Sequence, residues 1–531
     1  MKKYLIALSL VGLVTTSCYE KLNITPPNAI TNEQVLELLK NGNDETVTTI
    51  MGALADGLNA EFKHTGSLNG WSNEYYTYAQ ALDVNRSFAG NDMVLSAQPP
   101  TGDDLAMYNF TGLRTSDNVT NEPFWIRGYD LVQAANKVFN LLTDELVAAN
   151  GNVKLKEYQG RAYLTRAYGY LFLMENYGTD ELGVPIYTRY TLAQEVQARA
   201  SAAATFDSII LWTKKAISLF EAAGIGYTQN VNGDLNLGVA NYVLARAALW
   251  KQDWATAITA CDKLIANYSL MNEQQYVARN EPGKSGEKYV YYAESRGFTN
   301  LKANPECIMG WDNANKGRES ANYWLNFMAN GKQARIDNRL YEKIADQDYR
   351  KANFQKAAFG KFIAPSTNGF ATDGSEYDIG SYINLKFAAN VGIGGKIGNT
   401  TVSQPGIIDY SLFRVSEAYL MKAEAQAQSG QGDPKATLNI LISARTNGAL
   451  DCDSYPSMSG MSALDMVKLQ TRIEMWGEHS LEFYNNRRWK VNVDRSGSTV
   501  HHTAGQIPYA QLVLQIPQQE INTNNLIVQN P

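Results

Sequence analysis

Apolar residues recur at three- and four-residue steps along several stretches of this chain, and those stretches predict its helices. Ala162, Leu164, Ala167, Tyr168, Leu171 and Met174 make one apolar stripe, which is the period of an amphipathic helix. Tyr177-Gly178 ends it, with glycine as the C-terminal breaker. A second block runs from Ala240 to Asn267. In it Ala245, Ala247 and Ala248 let two helices approach closely, Gln252-Asp253 supplies a turn, and Trp250, Trp254 and Tyr268 wedge the pair. A third block repeats this logic: Ala418, Ala423 and Ala425, a turn over Ser429 to Pro434, then Ala436 to Ala444. Such hairpins are tetratricopeptide-like, although dispersed repeats make no free solenoid. Earlier, Thr31 is a fitting N-cap before Glu33-Gln34-Val35-Leu36, and one helix is predicted from about Phe124 to Ala149. Trp212 and Trp476 fall within helical patterns and are expected in the core.

Two regions lack this period. Residues 64–122 are rich in Gly, Asn, Asp, Thr and Tyr and read as long ordered loops. Residues 270–410 are dominated by Gly, Asn, Tyr and Trp and read as an irregular region with short helices. Loops held by a rigid scaffold are where function concentrates. The fold class expected is mainly α, with helical hairpins on one side and a loop-rich ligand face on the other.

The N-terminus changes the picture of where this fold resides. Lys2-Lys3 precede an apolar run, Tyr4 to Val14, too short to span a bilayer. Leu13-Val14-Thr15-Thr16-Ser17 then leads into Cys18, the shape of a bacterial lipoprotein signal. The organisation expected is a signal peptide over 1–17, a lipidated Cys18 with a tether over 18–30, and one helical domain over 31–531 with insertions at about 64–122 and 270–410. Acyl chains on Cys18 would hold a membrane, at about 0.8 kcal/mol per buried methylene. Without residues 1–17 the chain carries 45 basic and 53 acidic side chains. That acidic balance argues against nucleic acid as a partner. With Cys18 lipidated, Cys261, Cys307 and Cys452 cannot all pair, so no disulfide framework is expected.

Candidate chemistry lies in the loops. Sugar rings present apolar faces and polar rims, so their sites combine flat aromatics with Asn, Asp or Arg. Trp71, Tyr75, Tyr76 and Tyr78, followed by Asn85, Arg86 and Asp92, form one such cluster. Trp311, Asp312, Asn313, Arg318, Tyr323 and Trp324 form another. Tyr289, Tyr291 and Tyr292 alternate as in a half-buried strand and are expected in the core. His64, His479, His501 and His502 have no metal-site spacing. Asp92, Asp103 and Asp104 are oxygen donors of the kind Ca²⁺ takes, without EF-hand spacing. No other cofactor or metal is expected. A glycoside hydrolase needs two carboxylates across a cleft. Asp103-Asp104 and Glu474/Glu478 are only local pairs, the second placed to bridge Arg472 or a neighbouring helix. No GxSxG occurs, and Gly392 to Gly398 lacks the GK[ST] ending of a phosphate loop. The chain is expected to bind, not to catalyse.

Taken in order, these segments resemble the SusD/RagB family from about 18 to 531. Similar to the family are Leu22, Pro26-Pro27 and Thr31, then Trp125, Tyr129 and Ala135-Asn136. Arg161-Ala162, Arg166-Ala167-Tyr168, Tyr177-Gly178 and Gly183-Val184-Pro185 resemble its next stretch. Arg414, Glu417, Tyr419-Leu420 and Ala423-Glu424-Ala425 resemble its late helix, and Ile516-Pro517, Glu520-Ile521 and Gln529-Asn530-Pro531 its ending. Near 474–489 the chain departs from the pattern. Glu474, Glu478 and Arg487 keep the family spacing, while His479, Leu481 and Tyr484 replace a glycine, an arginine and an aspartate. The resemblance implies a surface lipoprotein of the outer membrane that captures oligosaccharide for a SusC-like, TonB-dependent transporter. The family's sugar-contacting loops fall in stretches comparable to the two clusters, without a one-to-one residue match. Peptide capture, as in some branches, and a tetratricopeptide-type scaffold without a small ligand are the alternatives.

Overall fold

Capping residues set the helix boundaries. A computed structural model describes residues 32–531 apart from 64–81, 83–85, 96–101, 119, 191–194, 278–295, 313–333, 358–359, 364–375, 388–394, 398–399, 403–408 and 480. The first long helices are α1 (Asn32–Asn41), α2 (Asp44–Lys63), α3 (Glu122–Phe139) and α4 (Val153–Tyr177), with a short helix, Gly102–Tyr108, inside the region expected to be loops. The single helix expected from Phe124 to Ala149 is interrupted. α3 stops at Asn140, and Thr143 accepts from the Leu146 N–H to start a separate short helix, Asp144–Ala149. A Thr-Asp-Glu start is a cap signature that favours such a break.

α5 (Ala202–Ala223), α6 (Leu237–Lys251) and α7 (Trp254–Asn267) follow, then α8 (Val415–Ser429), α9 (Pro434–Arg445), α10 (Ala463–Glu474) and α11 (Leu481–Arg488). Ser201, Asn236, Asp253, Asp433 and Ser462 each cap a helix by accepting a backbone N–H. The turn expected at Gln252-Asp253 is present: Gln252 takes the left-handed conformation at φ 64° and Asp253 caps α7. Gly430 closes α8 the same way at φ 70°. Gly178 ends α4 as expected, in extended backbone.

Each helix from α3 to α9 packs on the next in sequence, the array of hairpins that the alanine pattern implied. α4 lies at its centre, against α2, α3 and α5, and is buried nearly all round. The apolar stripe read from the sequence is therefore only part of its buried surface. Trp212, Trp476 and Tyr268 are interior as expected, although Trp476 lies in the turn after α10 and not within a helix, while Trp250 and Trp254 are half-buried against the core.

The middle of the chain holds short helices as expected, among them Glu273–Tyr276 and Asn338–Tyr341, but it is less irregular than expected. It contains short strands: β2 (Cys307–Trp311), β3 (Ala334–Ile336), β4 (Phe354–Gln355), β5 (Gly360–Ile363), β6 (Glu376–Ile379), β7 (Ile383–Asn384), β8 (Gly395–Ile397), β9 (Thr400–Val402) and β10 (Tyr410–Arg414). β1 (Met93–Leu95), from the first loop region, joins β3, β7 and β4 in the sheet order β1-β3-β7-β4. A second sheet has the order β6-β5-β8-β9, and β2 pairs antiparallel with β10, which runs directly into α8. Strands this short carry no readable period of two, so pairing between distant segments defines them. Among the described residues no helix is long and apolar enough to cross a membrane.

Candidate functional site

β1 pairs antiparallel with β3, and each strand adjoins one of the candidate stretches in sequence. Met93 lies opposite Ile336 and Leu95 opposite Ala334. The chain enters β1 at Met93, after the described stretch 86–92, and enters β3 at Ala334. The two entry points are thus two residues apart along a strand, roughly 7 Å at ~3.3 Å per residue. At its other end the 313–333 segment departs from β2. There the Asp312 N–H donates to the Val231 carbonyl at 2.8 Å and Lys302 pairs with the Asp312 carboxylate at 3.0 Å. Trp71, Tyr75, Tyr76, Tyr78, Asn85, Asn313, Arg318, Tyr323 and Trp324 lie outside the described residues, as do Cys18 and Tyr289, Tyr291 and Tyr292.

Of the four described candidates Asp312 is half-buried, whereas Arg86, Asp92 and Trp311 are interior, and this corrects their assignment to a ligand face. Arg86 is fully buried. Its guanidinium lies over the rings of Phe124, Phe172 and Tyr484, at 4.6, 5.2 and 4.7 Å, and donates to Asn176 Oδ1 at 2.5 Å. Desolvated cation–π contacts of this kind tie α3, α4 and α11 together. Asp92 is 3 % exposed and chelated by Arg472, whose Nε donates to Oδ2 at 2.8 Å while Nη2 donates to Oδ1. Its backbone carbonyl accepts from Trp476 Nε1 at 2.8 Å. A carboxylate so neutralised is no ligand for Ca²⁺ or sugar. Trp311 is 5 % exposed and stacks on Tyr410 at 5.9 Å. Gly233, at φ 74°, covers the indole so closely that a Cβ there would lie 2.2 Å from Nε1. These residues pack the loops onto the scaffold.

Beneath the sheets lies a buried charge network. Arg414 donates to Glu306 at 2.7 Å, to Glu474 at 2.6 Å, and to Glu478 at 2.6 and 2.8 Å. Arg445 also binds Glu306 and Glu474, at 2.6 and 2.9 Å. Arg350 binds Asp348 and Glu474, at 2.5 and 3.0 Å, and Lys386 binds Glu478 at 2.5 Å. Four cations thus face four carboxylates in the interior. The arginines hold the Glu474 and Glu478 carboxyls below the usual range against the opposing cost of burial. Burial lowers Lys386 to about 8. The expectation of a neighbouring helix holds for Glu474, which pairs with Arg445 of α9, whereas Glu478 pairs with Arg414 of β10 and with Lys386, and Arg472 turns to Asp92. Neither glutamate is free to act as a hydrolytic acid. The side chains of Asp103 and Asp104 lie outside the described residues. Among the described residues no group of three or more His, Cys, Asp or Glu is placed to hold a metal.

The departure from the family pattern near 479 has a structural counterpart. His479 takes the left-handed backbone at φ 50°, a conformation glycine adopts without cost. Its ring is buried edge-on to Phe413 at 5.3 Å. Tyr484 is recruited to hold both Arg86 and Arg246, the latter at 4.9 Å. Sequence reasoning missed Gly233, which carries no local motif, and set Arg472 only beside Glu474 and Glu478, not beside Asp92. The one available signal was a glycine in the stretch Asn230–Asp234, where turn residues cluster.

Two family models match the chain. One, described as starch-binding associating with outer membrane, covers residues 68–224; the other, described as the SusD family, covers residues 263–531. No curated protein matches the chain. Among solved structures, a SusD superfamily protein from Bacteroides vulgatus is 20% identical with a TM-score of 0.67, covering 91% of this chain and 98% of its own. A SusD-like carbohydrate binding protein from the same organism is 20% identical with a TM-score of 0.66, covering 90% and 97%. A SusD superfamily protein from Bacteroides thetaiotaomicron is 18% identical with a TM-score of 0.65, covering 91% and 99%. At these identities the likeness concerns the fold, and the family models, which together span most of the sequence, establish that this chain belongs to the SusD/RagB family.

Proposed function

We propose that this protein captures oligosaccharide on the face formed by the loops around Trp71–Tyr78 and Asn313–Trp324, and passes it to a SusC-like, TonB-dependent transporter. In this reading Cys18 carries the lipid that holds the chain at the outer-membrane surface. The observation that carries the reading is the match to a family described as starch-binding and associating with the outer membrane. A SusD-like carbohydrate binding protein among its structural neighbours supports it. The β1–β3 pairing supports it, since β1 follows the first candidate stretch in the chain and β3 directly follows the second. Stacked aromatics would take the apolar faces of the sugar, and the polar side chains Asn85, Asn313 and Arg318 its hydroxyl rim. Binding and gating, without bond cleavage, are the whole task.

The test is affinity electrophoresis of a soluble form beginning after Cys18, run through gels each holding one plant, fungal or host polysaccharide. Retardation in one or two gels is the expected result and names the substrate class. Unchanged migration in every gel, together with retention by immobilised peptides, would move the protein to the peptide-capturing side of the family.

A further inference from the structure

Tyr382 holds a backbone conformation that its side chain disfavours. It stands at φ 60°, where a residue with a Cβ is strained and glycine is not. Two neighbouring strands impose that conformation. The Tyr382 N–H donates to the Lys356 carbonyl, just past β4, at 3.3 Å, and the Tyr382 carbonyl accepts from the Ile336 N–H of β3 at 3.0 Å. Among the described residues the other aromatic rings at positive φ, those of Phe110 and His479, lie in the interior, where packing offsets the strain. Tyr382 is only half-buried, with one side against the core. Strain kept at a residue whose ring stays within reach of solvent points to a contact with something outside the chain.

The ring has a supporting partner and a polar rim. Tyr341, at the end of the short helix Asn338–Tyr341, meets it edge-on, with ring centroids 5.3 Å apart and planes at 77°. An edge-on pair leaves flat faces uncovered. Lys351 places its ammonium 5.1 Å from the Tyr341 ring centre, so the stacking face falls to Tyr382. The Tyr382 hydroxyl reaches Glu342 Oε1 at 3.5 Å, and Lys356 pairs with the same oxygen at 2.6 Å. Both charged side chains are about half exposed, so the rim offers an acceptor and a donor to hydroxyl groups. We propose that Tyr382 is a sugar-stacking subsite, with Glu342 and Lys356 binding the hydroxyl rim of the ring that lies on it. The subsite rests on the capture reading and adds residues of the first sheet to it: β7, which follows Tyr382, pairs with β3, the strand directly after the second candidate stretch.

Affinity electrophoresis of the soluble form beginning after Cys18, through gels of starch, xylan, pectin or mannan, tests the subsite together with a thermal scan. Tyr382→Gly removes the ring and the strain together. Its retention is expected to weaken about three- to tenfold in the gel that retards wild type, with a melting temperature within about 3 °C of wild type. Tyr382→Phe puts the ring back and is expected to recover the lost retention to within about twofold. Equal retention of wild type and Tyr382→Gly, or a Tyr382→Phe as weak as Tyr382→Gly, overturns the subsite. A larger melting loss in Tyr382→Gly also overturns it, by assigning the ring to packing. In each of these cases wild type is still retarded and the capture reading stands; wild type that migrates freely in every gel fails that reading and the subsite with it.

Discussion

Replacing Arg414 by Met tests whether the buried charge network holds the sheets to the helices. The Arg414 side chain is 1 % exposed and donates to three carboxylates, those of Glu306, Glu474 and Glu478. Methionine fills much of its volume and leaves four carboxylates facing three cations. Removing one partner of a buried ion pair costs about 3–5 kcal/mol, because a charge is left uncompensated in a medium that solvates it poorly. The unfolding entropy of a chain this long is roughly 1 kcal/mol per degree, so the melting temperature should fall by about 3–5 °C. The loss should also depend on pH, with opposite signs in the two proteins. In wild type the Glu474 and Glu478 carboxyls lie below 4.5, so their stabilisation is present at neutral pH and is lost only on strong acidification. In Arg414→Met the stranded carboxyl rises above that value, so the variant regains stability as pH falls toward about 5. Urea unfolding followed by tryptophan fluorescence at about pH 7.5 and about pH 5 gives both numbers. A difference under about 1 kcal/mol at pH 7.5, or one of equal size at both, would refute the reasoning.

Other perturbations separate packing from binding. Trp71→Ala and Trp324→Ala should weaken glycan retention about tenfold in affinity gels, the worth of one stacked aromatic, with melting nearly unchanged; a large loss of melting temperature would assign the residue to packing. Gly233→Ala should show the reverse, because left-handed backbone and a displaced Trp311 together cost about 2–4 kcal/mol while glycan retention stays; an unchanged thermal scan would refute the close approach described above. Cys18→Ala should move the protein from the membrane to the soluble fraction of lysed cells, and continued membrane retention would defeat the lipid anchor.

The helices were legible because their signals are local and repeat. The alanines of α6, the Gln252-Asp253 turn and the Asp433 cap each state their role within a few residues. The strands were not legible, since β1 acquires its identity only by lying beside β3. The candidate face was legible in composition but not in detail. Arg86, Asp92 and Trp311 have the residue types of a sugar site, yet their partners Asn176, Arg472 and Tyr410 lie far away in sequence. Nothing near Asp92 announces that a guanidinium some hundreds of residues later will claim it.

The pairing of residues 93–95 with 334–336 also sets an order of assembly. Helices α2 to α7 lie before residue 268, and their neighbours in space are mostly neighbours in sequence, which favours rapid formation. β1 must wait. Its partner lies more than two hundred residues later in the chain, so a long loop must close before the pairing can form. During that interval its hydrogen-bonding edge has no strand beside it, a state that invites pairing with other chains. A chain terminated before residue 334 is therefore expected to retain a helical core, detectable by circular dichroism, while lacking the strand with which β1 pairs.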